Sequence, residues 1–333
     1  MRKLVWIAVA AALAWSGYWV LGAQGIERGL GAWFEARRAE GWQAEAREIA
    51  TKGYPLGFET ELLDVSLVDP ATGLGWQTAR FDFAARAHAP TRIDAVLPET
   101  LRVLTPLQEI EVDGARMTAA LGLIPGPSLA LESASVDLAG VTFTSSLGWD
   151  AALAAGALST VRTEDDPLAH DILFSAEELR LARILRRALD PTGRLPEEID
   201  RLELDVRAGF DAPWDRHVIE DRRPQPTALD LRLLRATWGE MLLEATGSLD
   251  VDGAGIPEGE VTVRAVNWRE MLQVARASGA LPENFVPTVE SALRLLAGLS
   301  GNPNTIDAPL TFRDGRILIG FVPIARAPRI TIR

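Results

Sequence analysis

Cysteine is absent from this 333-residue chain, and histidine is scarce, with three copies. The first absence excludes disulfides, thiol catalysis, zinc ribbons, thiolate-held iron–sulfur clusters and cysteine acylation. The second means that a three-histidine metal site would have to gather His88, His170 and His217 from three distant stretches of chain. Positive charge is short as well: 34 Lys and Arg stand against 46 Asp and Glu, a formal charge of −12. Nucleic acid is therefore not an expected partner, because binding it requires a net basic face that releases counterions. There is no Walker A loop and no Gly-x-Gly-x-x-Gly fingerprint, and Gly126-Pro127-Ser128-Leu129-Ala130 lacks the second glycine of a nucleophile elbow. Glu164, Asp165, Asp166, His170 and Asp171 crowd together without any known ligand spacing, which is the pattern of a solvated loop broken by Pro167. His217, beside Trp214, Asp215 and Arg216, has the same character. No cofactor, metal ligand or catalytic residue is assigned, and an enzyme would need convergent carboxylates or a histidine in one cleft.

What is present begins at the N-terminus. Arg2 and Lys3 precede an uncharged run from Leu4 to Ala23. At about 1.5 Å per residue this run spans roughly 30 Å, the thickness of a hydrocarbon core. Secretory signal peptides have apolar regions of about 7–15 residues followed by a good small-x-small site. This run is longer, and Leu21-Gly22-Ala23 is a poor site, so a retained anchor is expected over residues 1–24. The basic pair before the run implies that everything after it crosses the membrane. Trp15, Tyr18 and Trp19 would then mark the outer interface. Removing the two positive charges of Arg2 and Lys3 from −12 leaves −14, so any further contact with lipid must be apolar.

Ile26, Leu30, Trp33 and Phe34 recur at helical spacing among charges, which predicts an amphipathic juxtamembrane helix over 25–41. From Trp42 the dominant period is two. Arg201 to Ala208 alternates without a fault, placing Leu202, Leu204 and Val206 on one face and charges on the other. Leu229, Leu231 and Leu233, and Val261, Val263 and Ala265, repeat the pattern. A sheet with one wet face is antiparallel. Asp113-Gly114, Asp252-Gly253 and Asp314-Gly315 predict hairpin turns, and Asp69 to Gly73 a wider one. Helices are expected in three places. Ser175 and Glu178 form a capping box opening Ala176–Leu189, and Trp268–Ala277 and Val289–Leu299 are separated by a loop around Pro282 and Pro287.

The fold class expected is therefore α+β and β-dominated: an N-terminal transmembrane helix, then a long, curved antiparallel sheet (meander, half-pipe or open sandwich) with a few capping helices. Residues 42–333 form one β-rich domain, with two lobes meeting near residue 190.

The Met-Arg-Lys anchor, Gly41-Trp42, Gly53-Tyr54-Pro55 with Phe58 before Leu62-Leu63-Asp64-Val65-Ser66-Leu67, and the stretch from Asp314-Gly315 through Phe321-Val322-Pro323 together resemble an uncharacterised family of single-anchor envelope proteins of Gram-negative bacteria. More distantly, an anchor followed by strand-rich Asp-Gly hairpins is similar to AsmA-like envelope proteins. That likeness implies a curved β-groove, phospholipid transport and outer-membrane homeostasis, with no functional residue to carry over. With the anchor reading and the failed motif search, the expectation is an inner-membrane, single-pass, non-enzymatic protein with its C-terminal domain in the periplasm. A half-pipe whose apolar inside takes acyl chains would bind or help to move phospholipid, with Leu202, Leu204 and Val206 as candidate lipid-facing positions. The competing expectation is a scaffolding partner of envelope proteins, pairing through exposed sheet edges.

Overall fold

The computed structural model describes every residue except 192, 219–222, 280, 282–285, 300–301, 321 and 333. Pro282 and Phe321, quoted above, lie outside the described residues. The protein is β-dominated α+β: one long N-terminal helix, seventeen strands and three shorter helices among the described residues, with every registered strand pairing antiparallel. It divides into two compact units. Residues 1–123 and 141–148 form the first, and 124–140 and 149–333 the second.

In the first unit, α1 (Arg2–Ala39) leads to β1 (Gln43–Glu45), β2 (Glu48–Lys52), β3 (Gly57–Val68), β4 (Gly75–Arg86), β5 (Ala89–Val96), β6 (Thr100–Leu104) and β7 (Glu109–Leu123). α1 is one continuous helix, not the anchor over 1–24 and separate helix over 25–41 that the sequence suggests, because no proline or capping residue interrupts the backbone ladder between them. Its first half carries an apolar window of mean hydropathy 1.8, long and apolar enough to cross a membrane. Its second half packs on the sheet. Phe34 is buried with Ala44, Leu62 and Val65, and Leu30 and Trp33 flank them.

The turn at Asp69–Gly73 joins β3 to β4 as expected. Its aspartate carboxylate accepts the Ala71 amide and the Thr72 hydroxyl. Asp113-Gly114 is not a turn. β7 runs straight through it, pairing with β6 up to Asp113 and with β5 from Thr118 onward. β5 and β6 are two halves of one lane between β4 and β7, broken at Leu97-Pro98-Glu99, where proline cannot donate to the ladder. The Asp113 carboxylate accepts the Thr100 hydroxyl, and the Gly114 amide donates to the Glu99 carbonyl across the break.

In the second unit, β9 (Asp150–Arg162), β10 (Ala169–Arg180), β11 (Glu198–Phe210), β12 (Pro226–Trp238), β13 (Met241–Val251), β14 (Pro257–Val266), β15 (Thr305–Arg313), β16 (Arg316–Ile319) and β17 (Val322–Arg326) pair in sequence order. α2 (Arg183–Leu189) lies between β10 and β11, and α3 (Trp268–Ala277) and α4 (Val286–Leu299) between β14 and β15. β8 (Leu131–Ser145) begins in this unit and ends in the first.

The two lobes do not meet near residue 190. β10 and β11, on either side of it, stay registered from Ala169↔Gly209 to Arg180↔Glu198, so the sheet passes through without a seam. The capping box at Ser175 is also overruled. Ser175 to Arg180 is strand, held between Ala157–Ala152 of β9 and Glu203–Glu198 of β11, and only Arg183–Leu189 is helical. Two ladders outweigh one local cap. Asp314-Gly315 is the two-residue hairpin expected, with φ of 53° and 68°.

Candidate functional site

The residues of the second unit sort into two faces. In register, Leu158, Phe174, Leu204, Leu234, Ala245, Val263 and Ala308 form one row across seven strands. The next row is Thr160, Ile172, Val206, Leu231, Gly247, Val261 and Leu310. This face is almost wholly apolar. The opposite face carries cross-strand ion pairs. Arg235 donates to Glu244 at 2.8 Å and to Glu203 at 3.1 Å, and Arg232 donates to Asp171 at 2.6 Å. Arg207, then Arg232, hold the Asp171 carboxyl below the usual carboxylate range.

The sequence period misplaces one residue. Leu231 pairs with Val206 but Leu234 with Leu204, so Arg232 and Leu233 form a bulge, and the apolar face passes from odd to even positions. Leu233 is thereby opposite Asp205, not in line with Leu229 and Leu231.

Leu202, Leu204 and Val206 lie together on the apolar face, with Val206 buried and the two leucines half-buried. One end of that face is covered: α3 and α4 bury Trp268 and Ala297 against Ala265 and Ile306. At the other end, beyond Val206, the face opens into a cavity of about 300 Å³. Its floor is Leu158, Thr160, His170 and Ile172, and Phe210 and Trp214 close one side. Leu131, Ala134 and Val136 at the start of β8 close another. Ile332 completes it, held by the C-terminal segment: Gln225 Nε2 donates to the Ile332 carbonyl at 2.9 Å, and the Ile332 amide donates to Gln225 Oε1 at 3.0 Å. Its volume falls at the lower end of the range for small-molecule pockets, and its lining is mostly apolar. Leu202, Leu204 and Val206 adjoin this cavity through their strand neighbours but do not line it.

His170 was expected in a solvated loop and is instead 2% exposed on β10. Its Nδ1 lies 3.3 Å from the Thr160 hydroxyl, and its ring meets Phe210 edge to face at 6.1 Å. Burial, then the charge of Arg162, holds the imidazole below its ordinary range, against the opposing pull of Asp171. Unfolded chains therefore take up a proton at a pH where the folded protein does not, so this group's contribution is full above about pH 6.5 and is lost as pH falls below it. Urea titrations at pH 5 and 7.5 should show a smaller acid-side loss of stability for His170→Gln than for the wild type, and parallel losses would refute the assignment.

His217 Nδ1 sits 3.1 Å from Asp215, and the residue is half-exposed. Among the described residues no group of three His, Cys, Asp or Glu converges on a metal-sized site. Ile172 and Leu158 escaped the sequence reading because the capping box disguised β10 and its partner. Phe210, Trp214 and Ile332 arrive from segments far apart in the chain and carry no local signal.

The anchor residues have definite partners. In the first unit, Trp15 Nε1 donates to the Pro55 carbonyl at 2.9 Å, Tyr18 Oη to Ala87 at 2.7 Å and Trp19 Nε1 to Gly57 at 2.7 Å. Trp19 stacks on Phe58, and Gly22 gives that ring room, since a Cβ there would lie 2.6 Å from it. Arg2 and Lys3 are exposed at the start of the helix.

Fold and site together define a class: an antiparallel β protein in two units, led by one helix apolar enough to span a membrane and bearing an apolar cavity with a single buried histidine. The chain belongs to the family described as an uncharacterized protein conserved in bacteria (DUF2125), whose model matches residues 19–328. No curated protein and no solved structure matches it.

Proposed function

We propose that this is a non-enzymatic, inner-membrane-anchored periplasmic protein, of AsmA-like character, that binds the acyl part of an envelope lipid or helps to move it. The observation that carries the proposal is the cavity of about 300 Å³ at the open end of the apolar face, with eight apolar residues among its lining. An acyl chain entering it would displace water from apolar surface at roughly 25 cal/mol per Å² buried. The anchor tethers the chain to a membrane that supplies lipid, with Arg2 and Lys3 on the cytoplasmic side. A tether made of α1 is favoured over a cleaved leader because Trp15, Tyr18 and Trp19 are bonded into the first unit, and cleavage after Ala23 would remove all three.

The test is native mass spectrometry of the full chain, purified in mild detergent from cells. Stoichiometric phospholipid or fatty acid is expected on the wild type and should be lost in Leu158→Asp, a cavity position 48% exposed where the fold accepts a charge. Circular dichroism of that variant should be unchanged. A folded wild type that stays lipid-free when supplied with lipid would overturn the proposal and direct attention to a scaffolding role with envelope proteins.

A further inference from the structure

Gly53-Tyr54-Pro55-Leu56-Gly57 connects β2 to β3 and contains no charge. Leu56 is 79% exposed, and Tyr54 is 55% exposed with its ring set edge-on against Trp19 of α1. An apolar tip of this kind in water is unfavourable and ordinarily marks a contact surface.

Its position along α1 fixes what that contact is. From Leu4, the first residue after the basic pair, Trp15 lies eleven residues along the helix, about 17 Å, and Ala23 lies about 29 Å along. A hydrocarbon core is about 30 Å thick. The tip is bonded to α1 at Trp15, Ser16 and Trp19, within that thickness and on the exit side.

Backbone enters lipid only where its polar groups are already paired. Here α1, the turn itself and Ala87 pair the carbonyls of Gly53, Pro55, Leu56 and Gly57. The Pro55 carbonyl accepts from Trp15, the Gly57 carbonyl from Trp19, and the Tyr54 hydroxyl bonds Ser16 at 2.8 Å. The Gly53 carbonyl accepts both the Leu56 and Gly57 amides, and the Leu56 carbonyl accepts the Ala87 amide. Pro55 has no amide hydrogen to satisfy. Charge resumes at Lys52 and Glu59 on these two strands and at Arg86, opposite Gly57 on β4, so the water edge lies at the level of Gly57 and only Tyr54, Pro55 and Leu56 stand beyond it.

We propose that the β2–β3 tip is a membrane wedge: Tyr54, Pro55 and Leu56 enter the outer leaflet beside Trp15 and Trp19 and seat the first unit on the bilayer surface. The inference rests on the reading of α1 as a retained anchor. It gives the aromatic residues of the helix a second task, as hydrogen-bond donors that make the tip compatible with lipid.

Because the chain has no cysteine, a single introduced one is a unique label site. Leu56→Cys, Leu13→Cys and Leu107→Cys, each at an exposed position, would carry a nitrobenzoxadiazole label in the full-length protein. The chain would be reconstituted in vesicles of phosphatidylethanolamine and phosphatidylglycerol containing nitroxide lipids of known depth. The expected result is a blue-shifted emission at Leu56 that is lost to nitroxides within the acyl region of the outer leaflet, loss at Leu13 to nitroxides near the midplane, and no loss at Leu107. Quenching at Leu13 with a Leu56 label that behaves like the Leu107 label would overturn the wedge and leave the anchor standing. An unquenched Leu13 label would overturn the anchor, and the wedge with it.

Discussion

Trp268→Ala should cost about 3–5 kcal/mol, the range for truncating a large buried aromatic. Trp268 is 2% exposed and opens α3 immediately after Asn267, whose φ of 57° turns the chain from β14 into the helix. Its indole rests on Ala265 and Ile306 from below and meets Ala297 of α4, with Met271, Leu272 and Leu293 around it. Nε1 donates to the Pro303 carbonyl at 3.0 Å, and the Arg269 guanidinium sits 4.6 Å from the ring centre. Truncation empties the space between helices and sheet, leaves the Pro303 carbonyl without this donor and removes the cation–π contact. Trp268→Phe keeps most of the volume and should lose much less. Urea unfolding followed by far-UV circular dichroism measures both, and a wild-type midpoint for Trp268→Ala would show that the helices do not stabilise this end of the apolar face.

Gly247→Ala should cost roughly 2–4 kcal/mol, combining strain in a backbone region closed to other residues with weakened ladder bonds. Gly247 has φ of 156°, and a Cβ there would run into the Glu260 carbonyl and approach the Val261 Cα to 2.7 Å. It stands opposite Leu231, at the edge of the Arg232–Leu233 bulge, where the strands need an unusually close approach. Gly259, two pairs further along the same two strands, has φ of 143° and would meet the Ser248 carbonyl in the same way. The double variant should be no worse than the sum if the two clashes are relieved by one separation of β13 from β14. Thermal unfolding of both single variants and the double one checks this, and an unchanged Gly247→Ala would mean that the strands can part without loss.

The strand that alternates perfectly, Arg201 to Ala208, was legible because each face meets one solvent and nothing local competes. Asp314-Gly315 was legible because its turn needs two positive φ values that few pairs of residues supply. α3 was found to the residue. The failures have physical causes as definite as the successes. Ser175 and Glu178 satisfy a helix cap locally, and only the ladders of β9 and β11, distant in sequence, decide for a strand. Asp113-Gly114 has the chemistry of a turn, yet serves to carry β7 past the break at Pro98. The bulge at Arg232 shifts the apolar face by one residue, which no period of two can anticipate. The cavity itself was illegible, since its walls come from β8, β9, β10, the segment after β11 and the C-terminal end, and their convergence is a tertiary fact. Trp15, Tyr18 and Trp19 were recognised as interfacial residues, but their hydrogen-bond acceptors at Pro55, Ala87 and Gly57 were not.

The break in the β5–β6 lane is not isolated. Asp64 of β3, at φ 50°, falls between the pairs Leu63↔Arg80 and Val65↔Thr78, and on β4 the Thr78 hydroxyl donates to the Arg80 carbonyl two residues on. With Leu97–Glu99 and the Asp113–Thr118 crossing on β7, the irregularities fall in one transverse line over four successive lanes. Hydrogen bonds between strands give a sheet its stiffness, and a line along which they are thinned is where it creases. The sheet of the first unit is thus thinned along one line, and α1 bridges it: Phe34 packs on Leu62 on one side of the line and on Val65 and Ala44 on the other, so a load applied to the helix reaches both sides.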